Sequence, residues 1–102
     1  MMQRSDHLRL KPGEREAIRA QTEDLVPGAE AYVFGSRTDP AARGGDIDVL
    51  LLTEQRLALG TLRRIRRAIL DRIGEQKLDI VNFTRAEQHP FKDVALATAA
   101  KL

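Results

Sequence analysis

Two short apolar runs joined by a long amphipathic stretch constrain this chain more than anything else in it. Asp46 to Leu52 reads DIDVLLL and Leu78 to Phe83 reads LDIVNF, both dense in branched apolar residues as strands are. Between them Ala58, Leu62, Ile65, Ile69 and Ile73 recur at helical spacing. This predicts a helix from about Glu54 to Glu75, with Thr53 as its cap and Gly74 near its end. A strand, a crossover helix and a second strand make a parallel pair, and that connection is right-handed in nearly all proteins.

The flanks add elements. Pro12 suits the first turn of a helix running over Glu14 to Val26, and Pro27-Gly28 ends it. Ala29 to Phe34 reads as a strand, Gly35-Ser36 as the punctuation after it, and Thr38 to Gly45 as a loop. Thr84-x-x-Glu87 matches a capping box, and Pro90 opens a last helix from Phe91 to about Lys101. The expected architecture is α/β (α+β), a small mixed sheet covered by helices. A length of 102 residues suits one domain, 1–102, with residues 1–10 loosely held.

Composition excludes several chemistries. No cysteine is present, so disulfides, thiolate zinc sites and thiol nucleophiles are ruled out. His7 and His89 are far apart and form no local metal motif. The longest apolar run, Val49 to Leu52, cannot span a membrane, and the start lacks the apolar stretch of a secretory signal, so a cytoplasmic protein is expected. Basic residues number 17 against 15 acidic, too mild an excess to argue for nucleic acid. Four aromatics make a poor supply of stacking platforms.

Three aspartates carry the functional signal. Asp46 and Asp48 are two apart on one strand, so they face the same way, with Cα atoms about 6–7 Å apart. Asp79 interrupts the other apolar run. If the two strands are neighbours, all three carboxylates converge on one face; an Asp79 on the opposite face would end this reading. An aspartate near a strand end also serves as a turn residue or as a partner for arginine, which supplies 13 of the 17 basic residues. Converging carboxylates repel, and a divalent cation relieves that, Mg²⁺ or Mn²⁺ being the natural match for hard oxygen donors. Gly35-Ser36-Arg37 offers a second signal. A glycine admits close approach of backbone to ligand, serine adds a hydroxyl and arginine a charged fork for phosphate, although an ordinary turn has the same look. A phosphate cradle within a dozen residues of paired carboxylates is what nucleoside triphosphate chemistry requires.

Gly35-Ser36-Arg37, Gly45-Asp46-Ile47-Asp48-Val49-Leu50-Leu51 and Leu78-Asp79-Ile80-Val81 resemble the motifs of minimal nucleotidyltransferases of the DNA-polymerase-β-like superfamily. The likeness spans about residues 29 to 83 and extends weakly into Pro90-Phe91-Lys92; nine residues separate Ser36 from Asp46, one fewer than is usual. The resemblance implies a nucleotidyltransferase-like fold and transfer of AMP or another nucleotide from ATP to an acceptor hydroxyl. It implies that Asp46 and Asp48 bind the metals, that Asp79 completes the site and helps deprotonate the hydroxyl, and that Gly35, Ser36 and Arg37 hold the triphosphate. Stand-alone members resemble the antitoxin half of toxin–antitoxin pairs, which implies a small helical HEPN-type toxin as partner and one of its tyrosines as acceptor. Two rivals remain: a binding module that neutralises its partner by occlusion, and nucleic-acid binding through Arg63, Arg64 and Arg67 on the long helix.

Overall fold

In the computed structural model, residues 9–38 and 46–102 are described, Ser36 and Arg37 by their backbone only. Helix α1 (Pro12–Leu25) leads to strand β1 (Glu30–Phe34) and a 3₁₀ turn (Gly35–Thr38). Strand β2 (Ile47–Thr53), helix α2 (Leu59–Ile73), strand β3 (Leu78–Thr84), helix α3 (Pro90–Thr98) and a short β4 (Ala100–Lys101) follow. The sheet runs β3-β2-β1-β4. β2 and β3 are parallel, while β1 is antiparallel to both β2 and β4. The loop expected over Thr38 to Gly45 and the loosely held start fall largely outside the described residues, as does His7.

Both faces of the sheet are covered. Ile47, Val49 and Leu51 of β2 pack with Ile18 of α1 and Ile65, Ile69 and Leu70 of α2. Leu50 and Leu52 turn the other way, toward Tyr32, Phe83, and Ala95 and Ala99 at the α3 end of the chain. This explains the unbroken run Val49–Leu52: a central strand buried on both sides needs apolar residues at consecutive positions. No helix among the described residues is long and apolar enough to cross a membrane.

Two expected boundaries move, each because a tertiary partner outcompetes local propensity. The crossover helix begins at Leu59 with Ala58 as N-cap, five residues later than the Glu54 start, and Thr53 ends β2 without capping it. The intervening segment is held open by Asn82 of β3. Its Oδ1 accepts from the Leu57 N–H at 2.8 Å, and its Nδ2 donates to Leu51 O at 3.1 Å and Thr53 Oγ1 at 3.0 Å. Thr53 Oγ1 in turn donates to Gln55 O at 2.7 Å. The helix ends at Ile73, where Gly74 adopts a φ of 91°.

At the other end α3 stops at Thr98, and Ala100–Lys101 cross to β1 as a strand, so the helix expected to reach Lys101 is shorter. The Thr84–Glu87 box does form, with Glu87 Oε1 accepting from the Thr84 N–H at 2.9 Å and Thr84 Oγ1 from the Glu87 N–H at 3.2 Å. It closes a turn, however, and α3 starts later at Pro90, capped by His89, whose Nδ1 accepts from the Phe91 N–H. That turn is fastened from inside. The buried Lys92 donates to the carbonyls of Thr84, Arg85 and Glu87 at 2.9, 3.0 and 2.7 Å. All three ammonium protons are thus used, which is what permits a lysine to be buried. Lys92→Met keeps the stem but strands those carbonyls, and urea unfolding should show a loss of about 1–3 kcal/mol.

Candidate active site

The site lies where β2 and β3 begin. Their register pairs Ile47 with Leu78 and Asp48 with Asp79. In-register neighbours on adjacent strands point to the same face, so Asp79 stands beside Asp48, with Cα atoms about 5 Å apart. Asp46 is two residues before Asp48 and falls on that face too. All three predicted aspartates therefore share one side of the sheet, the side that carries α3. Each strand begins its apolar run just past them, so the carboxylates occupy the rim of the sheet and the core lies behind.

Electrostatics reflects this crowding. The Asp48 carboxyl is pushed above its ordinary range, chiefly by burial, then by the charges of Asp79 and Asp46, with Lys77 opposing. Lys77 was not anticipated. Its Nζ lies 3.3 Å from Asp46 Oδ2, and its own pKa is raised by that hydrogen bond and by the Asp46 and Asp79 charges. A signal for it existed: Lys77 is two residues before Asp79, as Asp46 is before Asp48, so strand alternation puts all four charges on one face. Three negative groups and one positive leave this cluster with a formal charge of −2.

The Gly35 turn meets the same spot. Phe34 is the register partner of Asp48 across β1 and β2, so the next residue lies at the Asp48 side chain. Gly35 has a φ of 76°, and a Cβ built on it would come within 2.5 Å of Asp48 Oδ2. Thr38 Oγ1 donates back to Gly35 O at 2.7 Å and closes the turn. The side chains of Ser36 and Arg37 lie outside what is described. A row of rings starts beside the site at Phe34 and runs along the sheet away from it: Phe34 and Phe91 meet edge to face at 5.8 Å, and Phe83, the register partner of Leu52, stacks obliquely on Phe91 at 6.3 Å and His89 at 5.2 Å. Three of the four aromatics thus form one row on the α3 face, although their scatter in the sequence conceals it.

The arginine helix is less available than its sequence suggested. Arg67 is engaged by Asp71 and Glu75, and Arg66 Nε donates to Leu78 O at 3.1 Å. Among the described residues only Arg63 and Arg64 of that run lack a partner.

The donor set has the chemistry of a hard-cation site, three carboxylates beside a cradle that a single Cβ would fill. As the side chains stand, no three acidic or histidine groups among the described residues close around one point, and Asp46 is engaged by Lys77. The residues therefore fit a divalent ion on condition that Asp46 leaves its lysine.

Two stability measurements check this geometry. Gly35→Ala should cost about 1–2 kcal/mol from its positive φ alone. The collision with Asp48 adds to that, so the cost should shrink in an Asp48→Ala background, which a double-mutant cycle in urea reads directly. Asp48→Asn should be more stable than wild type at pH 7. The folded-state pKa of Asp48 is raised, so its ionisation costs stability above that pKa and nothing below the unfolded value. The advantage of the variant in melting temperature should accordingly vanish as pH falls through the raised pKa toward the ordinary carboxylate range.

Comparison with known proteins agrees with this fold. No curated protein matches the sequence. A solved structure of a tri-AMPylated Shewanella oneidensis HEPN toxin in complex with an MNT antitoxin contains a similar chain, at a TM-score of 0.65 and 18% identity, covering 87% of this chain and 67% of that one. The family model described as polymerase beta, nucleotidyltransferase, matches residues 21–102, from within α1 through β4. With four-fifths of its length matched, and with its paired strands and glycine turn in the arrangement just described, the chain belongs to the polymerase-β nucleotidyltransferase family.

Proposed function

We propose that this chain is a metal-dependent nucleotidyltransferase that moves AMP from ATP to a hydroxyl of a HEPN-type toxin and acts as its antitoxin. The observation that carries this reading is the register of Asp48 against Asp79 beside the Gly35 turn. The solved complex of an MNT antitoxin with an AMPylated HEPN toxin supports the choice of partner and of AMP as the group transferred.

In this reading Asp46 and Asp48 hold the divalent ions, Mg²⁺ or Mn²⁺, with Asp79 completing the set. When bound, such ions would neutralise charge around the α-phosphate of the nucleotide being transferred. Gly35 lets the backbone close on the triphosphate, while Ser36 and Arg37 bind its oxygens. Asp79, the exposed member of the three, is free to take the proton from the incoming hydroxyl. The hydroxyl oxygen then bonds to the α-phosphorus, the bond from that phosphorus to the bridging oxygen breaks, and pyrophosphate leaves. The acceptor reaches the carboxylates from the open rim of the sheet, past the Phe34–Phe91 pair.

The test is direct. Purified chain, its paired toxin, Mg²⁺ and α-labelled ATP should put label on the toxin, and Asp48→Asn should lower the rate roughly 10²-fold or more, since removal of a metal ligand forfeits several kcal/mol of charge stabilisation. Absence of label with the cognate toxin would end the enzyme reading. An Asp48→Asn variant that transfers nothing yet still silences the toxin would show that occlusion is enough.

A further inference from the structure

We infer that Lys77 is the resident counter-ion of the carboxylate face, holding Asp46 until a divalent cation displaces it. This rests on the nucleotidyltransferase reading of the three aspartates. Lys77 directly precedes β3 and Asp46 directly precedes β2, so their ion pair extends the register that sets Asp48 beside Asp79. The Ile47 N–H donates to Lys77 O at 3.1 Å, which pins the lysine backbone at the mouth of the site. Alternation then leaves its side chain on the carboxylate face.

The pair is built to be exchanged. Its side chains are 69% and 41% exposed, and ion pairs so exposed hold weakly. A doubly charged ion facing three carboxylates outbids one ammonium on Coulomb terms. Until that happens, Lys77 offsets part of the repulsion among Asp46, Asp48 and Asp79. The consequence is a lowered affinity for the free ion. The metal is then held firmly only when a triphosphate arrives with it and adds its own oxygens to the ligand set. Lys77 acts through Asp46 and is a positioning residue.

Mn²⁺ titration of the full chain without nucleotide, read by the electron paramagnetic resonance of the free ion, tests this. Lys77→Gln should bind Mn²⁺ roughly two- to fivefold tighter than wild type, the range that loss of an exposed ion pair allows. Lys77→Arg, which keeps the charge, should stay near wild type, and Asp48→Asn should bind most weakly. Lys77→Gln should melt close to wild type, since its side chain is largely exposed. Equal or weaker Mn²⁺ binding by Lys77→Gln, with wild-type binding intact and lost in Asp48→Asn, overturns the counter-ion role alone. Failure of both wild type and Lys77→Gln to bind Mn²⁺, or undiminished binding by Asp48→Asn, overturns the metal reading and this inference with it.

Discussion

Parallel pairing of β2 with β3 sets two like charges side by side, and the rest of the site is arranged around that cost. Asp48 and Asp79 are register partners at the rim of the sheet. A shift by one residue would remove Asp79 to the opposite face. That shift is forbidden by the core: Leu78 and Ile80 pack with Ile47, Val49 and Leu51, while Val81 and Phe83 pack with Leu50 and Leu52. The same alternation that buries the apolar side chains therefore enforces the electrostatic crowding. Burial of the core supplies the free energy, and the charged rim draws on it.

Three neighbours handle the crowding in different ways. Lys77 balances part of the charge through Asp46. Gly35, with no side chain, yields its volume to the Asp48 carboxylate. Phe34 and Phe91 close one flank with apolar surface and leave the rim as the route of approach. At the far ends of β2 and β3, away from the carboxylates, the Asn82 and Lys92 networks fix the segments that lead into α2 and α3 by buried hydrogen bonds.

Much of this was legible in advance. Strand β2 announced itself by an apolar run that only a doubly covered strand requires, and α2 by a stripe of isoleucines and leucines. The two-residue spacing of Asp46 and Asp48 put them on one face because strand geometry has that period. Chain segments with mixed signals were harder. Glu54 to Ala58 has good helix formers, yet Asn82, 25 residues from Leu57, holds it open. Ala99 to Leu102 has the composition of a helix end and instead pairs with β1, because a free edge there accepts it. Lys77 is placed on that face by its spacing to Asp79, yet a lone lysine before a strand is ordinary in sequence and carries no signal of its own.

The sequence by itself determined the order of elements as far as α3, the parallel crossover and the identity of the three acidic residues, because periodicity and turn chemistry are local properties. Only the tertiary structure decided that Asp79 stands beside Asp48, that Lys77 holds Asp46, that Gly35 gives way to a carboxylate, and that three scattered rings form one row. Those are relations across strands, and they exist only once burial has chosen a register.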